Sequence, residues 1–452
     1  MGVAPLAPWL LEQEARALLT RLDRVKPFVL QETMVPAAAL SPAAQLGIER
    51  YLMTGRRQLR GHVAEFIRWI RGVGRRADPA EMQRRFTFLR LRFNTALAQF
   101  DLFSEVVTQR SEHEVGVWLS GLDVAAQDAL TLPGTFFPSP PIICHLSRGL
   151  GGAIRRAHTR LPGGGSSPVA VIRIPRERMI GYGIASSLVH EVGHQAAALL
   201  GLVESLRPAL QRQQHAAPPQ LRPAWHLYER WVSEIVADFW AVAKVGVSST
   251  FGLIGIVSLP RAFVFRVNMD DPHPAPWVRV LISTSIGNAL YPDPMWSQIA
   301  QVWASLYPTT GLDPTRMGLI RSFQATMPAF VRTLLEHRPP SLRGRPLGQT
   351  VRVPDRTPRR LAAYYRSFTE SRDAMRRASP SLVFAALGQA RANGLISPEK
   401  EASILGEQIT YWAMKSTLEG LMTPIQQPGS PGRRATTALS SRPANVATRL
   451  SV

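Results

Sequence analysis

The chain is nearly without cysteine and lysine, and each scarcity narrows what it can be. Of 452 residues only Cys144 carries a thiol, so no intramolecular disulfide can form and a reducing compartment suits the chain. Cys144-His145 is a conceivable nucleophile pair, but adjacent residues rarely present both side chains to one substrate. A buried, unreactive cysteine is the expectation. Long apolar runs are missing too: the longest, Val245 to Pro260, is interrupted by Ser and Gly and falls short of the roughly 20 residues a membrane span requires. Near the start, Glu12, Glu14, Arg16 and Arg21 break up the hydrophobic pattern. No secretion signal is predicted, and a cytoplasmic, bacterial protein is the default expectation.

Lys26, Lys244, Lys400 and Lys415 are the only lysines among 53 basic residues, which face 32 acidic ones for a net charge of +21. The positive charge is therefore almost all arginine, clustered at Arg56-Arg57-Arg60, Arg71-Arg75-Arg76, Arg84-Arg85-Arg90-Arg92 and Arg359-Arg360. Such clusters suit a nucleic acid or an acidic protein surface. No nucleic-acid motif or zinc-finger spacing accompanies them, so solvated helix faces are favoured over nucleic-acid binding.

Periodicity predicts a mainly α protein with a small β-sheet, an α+β chain. Apolar residues at helical spacing fill 43–73 (Leu46, Ile48, Leu52, Leu59, Val63, Phe66) and 79–108 (Met82, Phe86, Leu89, Phe93, Phe100), marking helices. Breakers at Pro138 to Pro141 and Leu161 to Pro168 precede a β-branched run, Val169 to Ile174, which reads as a strand. Arg338 to Arg360, rich in Pro and Arg, reads as a linker or wrapping loop; 361–422 is again helical, and Pro424 to Val452 has a disordered composition. The expected division is a helical region 1–160, a core 161–337, a linker and helical region 338–423, and a disordered tail 424–452.

The core carries the chemistry. His190-Glu191-Val192-Gly193-His194 spells H-E-x-x-H within a run whose apolar residues, Leu188, Val189, Val192, Ala196, Leu199 and Leu200, recur at helical spacing. Two histidines four apart share one helix face, and Glu191 falls beside whatever they bind. That arrangement suits a Zn²⁺ ion with a general base next to it. Such a helix is apolar over most of its surface, and burying two imidazoles and a carboxylate there is costly unless they are engaged. Gly193 and the alanines allow a close neighbour. An echo at His113-Glu114-Val115-Gly116 ends in Val117 and reads as plain helix.

A second apolar helix, Trp231 to Trp240, is interrupted by Glu234 and Asp238, four apart on one face. Glu234 is the candidate third metal ligand. Asp238 would accept the free ring N–H of a ligating histidine and so set its tautomer.

H-E-x-x-H followed by Glu234-Ile-Val-Ala-Asp238 resembles the gluzincin metallopeptidases, the thermolysin-type superfamily. The segment His273-Pro-Ala-Pro-Trp-Val-Arg279 is similar to the H-P-x-x-x-x-R element of the prenyl-protein and heat-shock-type membrane members. The resemblance covers roughly residues 166–285. It implies a zincin-like catalytic core flanked by helical regions and Zn²⁺ on His190, His194 and Glu234. It also implies Glu191 as general base in peptide-bond hydrolysis of a peptide or protein substrate, and Asp238 orienting the first histidine. His273 then either stabilises the oxyanion or fixes a rigid turn; Arg279 is expected to pair with Asp270 or Asp271. By the same analogy the strand 169–174, with Val171 and Arg173, offers a sheet edge to the substrate backbone. Two other classes remain open: a basic scaffold or nucleic-acid-binding protein with structural zinc, and a degenerate peptidase fold that binds peptides without cutting them.

Overall fold

The computed structural model describes residues 3–147, 151–161, 165–179, 181–268 and 271–422. The expected disordered tail, 424–452, and Asp270 lie outside the described residues. The architecture is mainly helical with one small sheet. Long helices α1 (Val3–Arg24), α2 (Pro42–Arg71) and α3 (Pro79–Thr108) come first, then α4 (His113–Leu130). Ser41 starts α2 by accepting the Ala44 N–H, with Pro42 in the first turn, where a missing N–H costs nothing. The apolar stripes of α1–α3 close on one another, burying Leu18, Leu59, Val63, Phe86 and Phe93.

Three short strands follow: β1 (Ile142–Ser147), β2 (Ala153–Arg155) and β3 (Ala170–Pro175). Their order is β1-β3-β2, with β3 parallel to β1 and antiparallel to β2. One face of the sheet packs on α2 and α3, where Ile143, Val169 and Val171 meet Leu52, Phe100 and Phe103. The other face, through Cys144, Ile172 and Ile174, joins the main core. The sheet thus joins strands from both sides of the boundary expected near residue 160.

The remaining helices are α5 (Gly181–Leu200), α6 (Leu202–Ala216), α7 (Arg222–Arg230), α8 (Val232–Val245), α9 (Val247–Val257), α10 (Arg261–Val264), α11 (Pro276–Leu290), α12 (Pro294–Leu306) and α13 (Pro314–Glu336). After them come α14 (Leu347–Val351), α15 (Pro358–Glu370), α16 (Arg372–Arg377), α17 (Pro380–Ala392) and α18 (Pro398–Met422). One continuous core runs from Leu119 in α4 to Trp412 in α18. The Pro/Arg-rich stretch wraps against it, burying Leu342, Leu347, Val351 and Arg356. Among the described residues no helix is long and apolar enough to cross a membrane.

At the centre, α5 packs against both α8 and α9. Gly193 is what lets α8 come so close: a Cβ there would lie 2.8 Å from Ala237 Cα and 2.9 Å from its carbonyl oxygen. These two helices, brought together by a glycine facing an alanine, carry nearly all of the polar cluster described next.

Candidate metal centre

His190, Glu191 and His194 project from α5 and Glu234 and Asp238 from α8, as the helical spacing requires. One Nε2 or carboxylate oxygen from each of His190, His194 and Glu234 lies within 4.8 Å of the others. Glu234 divides its oxygens between the histidines: His190 Nε2 is 3.3 Å from Oε2 and His194 Nε2 is 3.4 Å from Oε1. Two ligand atoms each about 2.05 Å from a tetrahedral ion are separated by roughly 3.4 Å. The spacing fits a single small metal ion. So does the bonding, because Glu234 Oε2 is buried yet makes no hydrogen bond. Three nitrogens stand 3.3–3.6 Å from it, those of His190, His273 and Arg279, facing it without donating to it.

Behind the histidines the network is tight. His190 Nδ1 donates to Asp238 Oδ1 at 2.8 Å, which leaves Nε2 free toward the cluster. Arg279, on α11, donates Nε to Asp238 Oδ2 at 2.7 Å and Nη2 to Oδ1 at 2.9 Å. The expected pairing of Arg279 with Asp270 or Asp271 is thus replaced by a different one. Asp271 is taken instead by His273, whose Nδ1 lies 2.7 Å from Oδ1. The arginine lies deep in the core, where a fork of donors matches a buried carboxylate better than an exposed one.

These contacts set the protonation states. Burial disfavours a charged His190, but the Asp238 charge, its hydrogen bond and Glu234 outweigh that and raise the pKa to about 9. Burial and the charge on His190 lower His194 to about 4, so it is neutral. Burial opposes ionisation of Glu234, yet the close approach and positive charge of His190, with the other cations, hold it at about 2. Asp238 is likewise held well below the carboxylate range by Arg279 and His190, against its burial. Glu191 differs: burial dominates and raises its pKa, making it the more basic carboxylate of the group.

The cleft over the cluster has a volume of about 320 Å³ and is lined by Gly152, Ala153, Ile154, Arg156, His190, Glu191, His194, Ser233, Glu234 and His273. His273 is half-exposed at its rim, with Nε2 3.4 Å from Glu234 Oε2. Val171 and Arg173 do not line it. Strand β3, on which both sit, is paired along both edges, and Val171 is buried among apolar residues of α2 and α3. The edge expected at 169–174 belongs instead to β2, whose outer side is unpaired in the described sheet. Sequence reading missed β2 because three residues are too few for an alternation to register. The only signal was the Gly151-Gly152 pair ahead of an Ala-Ile step.

Two candidates set aside on sequence grounds fall outside the cleft. Cys144 is fully buried in β1, and burial, with the nearby Asp123 charge, drives its thiol pKa well up. His113 only begins α4. No protein-family model, characterised protein or solved structure matches this chain.

Proposed function

We propose that the chain is a zinc-dependent peptidase of gluzincin type, its cluster built to hydrolyse a peptide bond. The observation that carries this reading is the division of labour around Glu234. Two histidine Nε2 atoms face its two oxygens, Asp238 fixes the first histidine from behind, and Glu191 is left over in the cleft with a raised pKa. A structural zinc site would use a fourth protein ligand. Among the described residues three donors converge, a set that would leave a position for water.

His190, His194 and Glu234 would hold the metal. When bound, zinc supplies Lewis acidity that acidifies a water molecule and polarises the scissile carbonyl. Glu191 accepts the water's proton and returns it to the leaving amine; its raised pKa suits both transfers. His273 stands at the rim, where, only when doubly protonated, it can donate Nε2–H to the oxygen on which negative charge develops. The free edge of β2 borders the cleft and offers backbone N–H and C=O groups to an extended peptide. A sheet edge, a helix bearing both histidines and a helix bearing the third ligand are the parts of a zincin-like core.

The test compares wild type with Glu191→Gln for bound zinc and for cleavage of a mixed peptide library. The expected result is one zinc in both and cleavage only by the wild type, with chelation abolishing it and zinc restoring it. Absence of zinc from both proteins sinks the metal assignment. Equal zinc without cleavage by either points to a scaffold or to a site that binds peptides only.

A further inference from the structure

We propose that Arg156 selects the substrate by binding a peptide carboxylate, either an aspartate or glutamate side chain or the terminal carboxylate. The inference rests on the peptidase reading and adds a substrate class to it.

The argument is one of elimination within the cleft. His190 is engaged by Asp238 and Glu234, His194 by Glu234 and Ser233, and His273 by Asp271. Glu191 is committed to the proton transfers. Among the described charged side chains that line the cleft, Arg156 is the one left with no internal task. It is exposed, and its guanidinium makes no hydrogen bond or ion pair among the described residues. The rest of the strand-side wall is Gly152, Ala153 and Ile154, which offers no deep apolar pocket to discriminate among hydrophobic side chains.

The position of Arg156 is held by backbone on both sides. The Ala157 N–H donates to Gln195 Oε1 at 2.8 Å, and Gln195 is the fully buried neighbour of His194 on α5. The Thr159 N–H returns to the Arg156 carbonyl at 3.3 Å, and the His158 N–H to Ser167 O at 2.9 Å. The backbone at Arg156 is therefore anchored to the helix that carries the candidate metal ligands, which keeps the side chain at the cleft. The neighbouring Arg155, the last residue of β2, bonds Gln99 instead. A peptide added along the β2 edge would pass Arg156 just beyond the end of the strand. The chain's net charge of +21 draws acidic peptides toward it.

The experiment uses full-length, zinc-loaded Glu191→Gln, which binds without turnover, and three labelled peptides read by fluorescence anisotropy. One carries an internal glutamate and an amidated end, one is neutral and amidated, and one is neutral with a free terminal carboxylate. At least one carboxylate-bearing peptide is expected to bind about fivefold more tightly than the neutral amide. Adding Arg156→Glu should abolish or invert that preference at unchanged zinc content and circular dichroism. Preference for the internal glutamate assigns Arg156 to a side chain, and preference for the free end assigns it to the terminus. Equal affinities, no binding by any peptide, or a preference that survives Arg156→Glu overturns the proposal. Wild-type cleavage, measured in parallel, separates the two readings: charge-selective binding without cleavage overturns the peptidase and leaves the Arg156 assignment standing.

Discussion

Arg279 holds Asp238 by two parallel hydrogen bonds, Nε to Oδ2 at 2.7 Å and Nη2 to Oδ1 at 2.9 Å, with both side chains buried. Asp238 can therefore orient His190 without moving, because its own carboxylate is fixed in plane. The relay from α11 through α8 to α5 joins three helices at one point.

Breaking that relay should weaken zinc binding before it touches the ligands. Asp238→Asn is expected to lower zinc affinity about 10–100-fold. Arg279→Ala, which strands a buried carboxylate, should also cost about 3–5 kcal/mol of stability. Arg279→Lys restores the charge but not the fork, so it should recover little of either. Competition with a chromophoric chelator and urea unfolding read the two effects. Wild-type zinc affinity in Asp238→Asn would remove the aspartate from this role.

Zinc binding should release a proton. Metal-free His190 has a pKa of about 9 and carries its second proton at neutral pH, whereas a metal ligand must be neutral. Near pH 7 the metal therefore displaces about one proton, and apparent affinity should fall about tenfold per unit as the pH drops from 9 toward 7. His194, held at about 4, contributes nothing in that window. Calorimetry in two buffers of different ionisation enthalpy counts the protons. A count near zero at pH 7 would contradict the state assigned to His190.

Gly152 is a way to disturb the base alone. A Cβ there would sit 2.7 Å from Glu191 Oε1, so Gly152→Ala must displace the end of that side chain. Turnover is expected to drop tenfold or more, a misplacement of about 1 Å costing up to about 100-fold. Zinc content and melting temperature should hold. Unimpaired kcat would show that Glu191 tolerates the shift.

Gly193 tests the packing beneath the site. A Cβ at this residue would meet backbone atoms of Ala237 at 2.8–2.9 Å, and neither helix can yield without moving its ligands. Gly193→Ala should destabilise the fold by about 1–3 kcal/mol and weaken zinc binding together with it. Stability within about 0.5 kcal/mol of wild type would mean that α5 and α8 can separate freely.

The side-chain arrangement at α5 and α8 was legible in the sequence because it is local. Helical periodicity alone puts His190 beside His194 and Glu234 beside Asp238 on their faces, and the apolar run around each pair marks both helices as buried. The mainly helical class followed from the same period, with α2 and α3 falling where Leu52, Phe66, Phe86 and Phe100 recur. Tertiary structure decided what faces these helices. Which acid Arg279 would grip depended on α11 crossing α8. The sequence placed the arginine near Asp270 and Asp271, whereas packing carried its guanidinium to Asp238. Strand order decided the sheet edge in the same way: a three-residue β2 leaves almost no pattern, yet by pairing with β3 it takes Val171 and Arg173 out of reach. It also brings Gly152 and Arg156 to the cleft. Spacing along the chain set which residues share a helix face. Only long-range packing, which no local pattern encodes, set which faces meet and which edge stays open.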